Sequence, residues 1–88
     1  MTLRKKNNPF KTSAGIVFDV YDVGGAVYRV EVTEEAIEDF CDPRGIKLEG
    51  DDLPAALLEA ILLAADKLVQ RAPAGIKSVM VDKKALNG

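Results

Sequence analysis

The side chains that could do chemistry are few. The chain of 88 residues has no histidine and one cysteine, Cys41. Without imidazole it lacks the commonest general base, the commonest neutral metal ligand and the usual hydrolytic triads. A nucleophilic or redox thiol needs a positive surrounding field. Cys41 stands instead beside Asp39 and Asp42, at the end of a predicted helix, where negative charge keeps a thiol protonated. It reads as a packed structural cysteine. Glu34 and Glu38, and Glu35 and Asp39, stand four apart. Such oxygen pairs could contribute to a cation site, but a calcium cage needs about six to eight oxygens in a fixed loop, and no such spacing occurs. They read as a solvated acidic face. Asp51 and Asp52 precede Leu53-Pro54, a helix-start signal that accounts for them as capping groups rather than as a catalytic carboxylate pair. Gly24-Gly25 lies between two strand-like runs, with no GxxxxGK[ST] and no GxGxxG, so it reads as a hairpin turn and not a phosphate loop. No catalytic residue, metal ligand, cofactor or cofactor-binding residue is assigned.

The remaining candidate chemistry is electrostatic. Arg4, Lys5, Lys6 and Lys11 crowd the first twelve residues, which contain no acid. Such a cluster could contact phosphates, which makes a nucleic-acid accessory protein the alternative reading. Residues 13–88, however, hold eight basic and fourteen acidic residues, a net of −6, and would repel a polyanion. Phe18, Tyr21 and Tyr28 are not interleaved with the basic residues, so a solubilising tail is the simpler reading.

These residues must be positioned by one small domain, since 88 residues allow one modest core. A lone cysteine fits a reducing compartment, and the cytoplasm is expected. The N-terminus lacks the apolar run of a signal peptide. The longest apolar run, Ala60 to Ala65, falls far short of the ~20 residues of a membrane span, so no membrane contact is expected. The centre of the domain is Gly15 to Val32. Ile16, Phe18 and Val20 alternate on one side of Val23-Gly24-Gly25, and Tyr28, Val30 and Val32 on the other. A two-residue loop would set Val20 against Arg29 and mix core with charge. A three-residue loop sets Val20 against Tyr28, Phe18 against Val30 and Asp19 against Arg29, with Gly25 at positive φ and Asp22 opening the turn.

Residues 1–14 carry no sustained period and are expected as a mobile basic arm, with 15–82 as a single α+β domain and 83–88 as a frayed tail. Thr33 is an N-cap signal for a short helix to about Cys41, with Glu34 and Glu35 suiting its dipole. Ile46 and Leu48 are expected as core pins in a connector. A long helix follows from about Leu53 to Arg71, and Ile76 to Asp82 is β-like. The expected fold is β-β-α-α-β, a three-stranded antiparallel sheet with two helices on one face. On the long helix, Glu59, Asp66 and Gln70 form a narrow polar strip, and the apolar arc is much wider than the ~100° a surface helix needs. Leu58, Leu62, Leu63 and Val69 are left over as interface candidates, and a twofold homodimer is expected. Cover from Ile46-Lys47-Leu48 and the last strand is the competing account.

The run Val20 to Val32, followed by Thr33-Glu34-Glu35-Ala36-Ile37-Glu38-Asp39-Phe40, resembles a small bacterial family known as a domain of unknown function. In that family two strands around a Gly-containing turn lead into a Ser/Thr-x-Glu-Ala-Leu-Glu-Asp helix start. The resemblance implies an α+β fold with helices on a small antiparallel sheet, and it brings no catalytic or binding residue. The chain departs from the pattern at Asp42-Pro43-Arg44-Gly45 and in its very apolar long helix. Together these features predict a small non-catalytic interaction or regulatory module, homodimeric, with an unknown protein partner. A hydrolytic or acyl-transfer enzyme is the weaker alternative, since no base is present.

Overall fold

The computed structural model describes residues 3–7, 9–47, 53–73 and 75–87. Its centre is the expected hairpin, here β3 (Gly15–Tyr21) and β4 (Val27–Thr33). Ile16 pairs with Val32, Phe18 with Val30, Asp19 with Arg29 and Val20 with Tyr28. The turn is the three-residue form. Gly25 N donates to Asp22 O at 3.0 Å, and Asp22 Oδ1 accepts from Gly24 N and Ala26 N. Gly25 takes φ +87°, a region that side chains with a Cβ avoid. On the outer face Arg29 Nε lies 3.5 Å from Asp19 Oδ1.

The sheet is larger than the three strands expected. Two short strands, β1 (Arg4–Lys5) and β2 (Phe10–Thr12), lie antiparallel along the free edge of β3. The segment expected as a mobile arm is therefore a paired edge. Arg4 faces Tyr21 and Lys5 faces Val20, whereas Phe10 faces Val17 and Lys11 faces Ile16. The two registers differ by two residues, and Asn7 fills the break. Its Oδ1 accepts from Asp19 N at 2.9 Å and its Nδ2 donates to Asp19 Oδ2 at 3.1 Å. The offset is an even number, so odd positions keep to one face and Leu3 turns inward, where it is 2% exposed.

Thr33 caps α1 (Glu34–Cys41), its hydroxyl accepting from Ala36 N at 3.2 Å. A 3-10 turn over Asp42–Arg44 closes that helix. The long helix, α2 (Ala55–Arg71), starts after Pro54. It stops where Ala72, next to Pro73, is extended, because the proline ring disfavours helical backbone in the residue before it. The last strand, β5 (Ser78–Val81), pairs with β4 in parallel, not antiparallel as expected, with Val30 opposite Val79 and Val32 opposite Val81. Parallel neighbours need a long crossover, and α1 and α2 supply it. The expected frayed tail forms a short helix, α3 (Lys83–Asn87). Asp82 caps it by accepting from Ala85 N at 2.8 Å. Asn87 Nδ2 ties it back to Ala36 O at 3.1 Å.

Alternation puts Ile16, Phe18, Val20, Val30, Val32, Val79 and Val81 on one sheet face, all buried. Against them lie Ala36, Ile37, Phe40 and Cys41 of α1 and Leu57, Ile61, Ala64 and Ala65 of α2. Leu48, Asp51 and Asp52 lie outside the described residues. Among the described residues no helix is long and apolar enough to cross a membrane.

Candidate functional site: a groove between Leu3 and the long helix

The strands and caps described above decide where each chemical side chain stands. Cys41 is buried at the end of α1. Burial pushes its thiol above the usual value and the neighbouring Asp42 charge adds to this, while Arg44 pulls the other way. The Arg44 guanidinium carbon lies over the Phe40 ring, 4.0 Å from its centre, and Nη1 donates to Phe40 O at 2.9 Å. The cation is thereby spent on closing the helix end. The acidic pairs of α1 stay on its exposed side. Asp39 takes an ion pair from Lys83 of α3 at 3.1 Å, which raises the lysine's pKa through the hydrogen bond and then the charges of Asp39 and Glu35. Among the described residues no group of three or more His, Cys, Asp or Glu is placed to hold a metal.

The basic residues do not form one surface. Opposed residues of an antiparallel pair share a face. Arg4, opposite Tyr21, belongs to the open face of the sheet, whereas Lys5 and Lys11, opposite Val20 and Ile16, belong to the helix side. Alternation splits the cluster that looked continuous in the sequence.

The interface candidates separate too. Leu58 and Leu62 are half-buried, Leu63 is 51% exposed, and Val69 is half-buried farther along the helix. Leu58, Leu62 and Leu63 wall a groove of about 220 Å³, closed on its other side by Leu3. Val69 does not line it. Leu3 of the N-terminal segment thus stands beside the second flank of α2, while Ile46 packs against the core cluster. Two acids complete the lining: Glu59 and Asp66.

Asp66 is the residue that helical periodicity misplaces. It was expected on the solvated strip with Glu59 and Gln70, yet it is 8% exposed. Gln70 Nε2 donates to its Oδ2 at 3.0 Å. Its Oδ1 is buried and has no hydrogen-bond partner among the described residues. The only hint in the sequence is position: Asp66 is four residues on from Leu62 and so lies on the edge of the apolar flank. Leu3, which lines the same groove, is fifty-five residues away from Leu58 in the chain and gives no local signal.

A second surface is the open face of the sheet. Phe10, Val17, Glu31 and Met80 form one row across four strands, with Phe10 54% and Met80 57% exposed.

No protein-family model matches the chain, and no curated protein and no solved structure gives a significant match to it.

Proposed function

We propose that the chain is a small non-catalytic interaction or regulatory module that acts as a homodimer through α2. The observation that carries this reading is Leu63, a large apolar side chain 51% exposed in the middle of an exposed stripe that is otherwise polar from Glu59 to Gln70. That stripe consists of Ala56, Glu59, Leu63, Lys67 and Gln70, all exposed on α2. Glu59 and Lys67 flank Leu63 at four residues on either side. A twofold axis through Leu63, with the two helices antiparallel, sets Glu59 of each copy against Lys67 of the other and the two leucines against each other. The stripe is therefore self-complementary, which is what an isologous contact requires. The buried, protonated character of Cys41 and a chain without histidine support a role that does not depend on catalysis.

One helix face gives a contact at the small end of stable interfaces, which start at about 1,200 Å² in total. The expected dimer is consequently weak, dissociating in the micromolar to millimolar range. Sedimentation equilibrium over that range tests it. Leu63→Glu and Lys67→Glu should each shift the species to the 9.5 kDa monomer, and Glu59→Lys with Lys67→Glu should restore association. A monomer at all concentrations, indifferent to these changes, overturns the dimer.

A further inference from the structure

The sheet has two faces, and the helices cover one. They pack on the face that carries Phe18 and Val30, and the twofold contact through Leu63 uses the exposed side of α2. The other face of the sheet is used by neither. Three of the large apolar side chains that stay exposed among the described residues stand on it, Phe10 at 54%, Val27 at 40% and Met80 at 57%. Val17 and Tyr21 lie half-buried between them. A contiguous apolar patch on a small domain marks an interaction surface. At its centre Asp19 and Glu31 border Arg29, so it is not the single-sign surface that a polyanion needs.

We propose that a second copy of the chain covers this face, related by a twofold axis that runs between β3 and β4 along the strands. Such an axis exchanges the two halves of every row. It lays Asp19 of each copy on Arg29 of the other, Phe10 on Met80, and Tyr21 on Val27. The face is self-complementary because the hairpin register sets opposite charges across its middle, while the strand order sets an aromatic ring at one margin and a thioether at the other. Sulfur against a ring edge is a favourable contact. Arg29 turns Nε to its own Asp19 at 3.5 Å, which leaves the outer guanidinium N–H groups for the carboxylate of the other copy. The one mismatch is Glu31 over Val17. Glu31 stands two residues from Arg29 on the same face, about 7 Å away, so its carboxylate reaches a guanidinium while its stem covers the valine. Aligned sheets cross at about 30°, which keeps the central pairs matched and offsets the margins. Four strands at ~4.8 Å spacing and seven residues at ~3.3 Å rise give about 440 Å² in plan per copy. Side-chain relief raises the two faces together toward the ~1,200 Å² at which stable interfaces begin. Burying the central charges costs about what their pairing returns, so the apolar margins set the affinity, and the contact forms in the millimolar range. A Leu63→Glu chain is accordingly a monomer when dilute and pairs through the sheet when concentrated.

The test exchanges the central charges between copies. Arg29→Asp and Asp19→Arg are made separately, each in a Leu63→Glu background that removes the α2 contact. Alone, either variant sets like charges against each other across the twofold axis. Mixed, they set aspartate against arginine at both places. Sedimentation equilibrium should show the equimolar mixture associating at a concentration at least about tenfold below either variant alone. The control is Asp39→Lys mixed with Lys83→Asp in the same background. It makes the same changes of net charge at a second exposed ion pair, and mixing should leave it monomeric. If a charge variant does not fold, ¹H–¹⁵N spectra of the Leu63→Glu chain read the contact instead: the amides of Val17, Val27 and Met80 should shift as the concentration rises to millimolar. A mixture no tighter than its components, a control pair that associates equally, or amides that ignore concentration would overturn the contact. Shifts of the same amides with a short oligothymidylate, in place of a second copy, make a single nucleic-acid strand the occupant and overturn it too. The outcome is separate from that of the α2 contact. Association of the mixed variants upholds the sheet contact whatever α2 does, whereas a parent chain that dimerises through Leu63 while the mixed variants stay monomeric upholds α2 and refutes the sheet contact.

Discussion

Replacing Leu3 by alanine tests whether the N-terminal segment is part of the fold. Leu3 is 2% exposed and belongs to the core cluster, although it precedes every other core residue by more than ten positions. Truncation removes three carbon groups, worth about 0.8 kcal/mol each when buried, or about 2.4 kcal/mol. A sealed cavity would add to this and carry Leu→Ala toward the upper part of the usual ~2–5 kcal/mol. Leu3 borders an open groove, however, so solvent reaches the space and the cavity contribution is small. The expected loss is about 2–3 kcal/mol. In a domain of this size that lowers Tm by roughly 10–20 °C. Urea unfolding followed by circular dichroism measures it, with the midpoint falling at unchanged slope. Phe10→Ala, in the same segment but 54% exposed, is the control and should cost under about 1 kcal/mol. A Leu3→Ala variant within about 0.5 kcal/mol of the parent would mean that the segment is a mobile arm after all and that α2 is covered by something else.

Gly15→Ala should cost more than any other single methyl addition, about 3 kcal/mol or more, because the new Cβ would run into the backbone carbonyl of Val32 and backbone cannot step aside cheaply; native-state circular dichroism and urea midpoints check it. Thr33→Ala removes the hydroxyl that accepts from Ala36 N and should cost about 1 kcal/mol, whereas Thr33→Ser should restore most of it. Since burial and Asp42 raise the Cys41 pKa, the folded state prefers the thiol. Its contribution to stability is complete below the ordinary value of 9.0 and is lost as pH climbs through the higher folded-state value. A Cys41→Val variant should therefore lose less stability than the parent between neutral and strongly alkaline pH, and an identical slope for the two would refute the assignment.

Much of the fold was legible because it is written locally. The hairpin register followed from two apolar alternations and one charge pair, Asp19 with Arg29, and the pairing is the one observed. Thr33 as a cap and the stop at Pro73 depend on a few neighbouring residues, and both were readable. The N-terminal edge was not. Strands of two and three residues, offset by two and joined through the Asn7 side chain, are too short to show a period. The parallel placement of β5 depends on how α1 and α2 cross over the sheet, which no stretch of sequence states. Of the candidate site, Leu58, Leu62 and Leu63 were legible as surplus apolar surface on α2. Val69, grouped with them as an interface candidate, does not line the groove, because a helical wheel gives angle but not what lies opposite at each height. Leu3 and Asp66 line the same groove, and Leu3 reaches it from a remote part of the chain, so neither was legible there from its local sequence.

The break at Asn7 has a bearing on how this protein behaves when crowded. An uninterrupted edge strand is a template on which another chain can lay a strand, and the sheet can then grow without limit. Here the outermost strand changes register within itself, and Asn7 occupies the hydrogen-bonding groups of Asp19 at the change. A strand from a second molecule could match β1 or β2 but not both. Pro9, next to the break, has no N–H to offer. The opposite edge, β5, is only four residues long. A sheet with one broken margin and one short one resists fibrillar growth at both ends, even though its open face carries Phe10 and Met80.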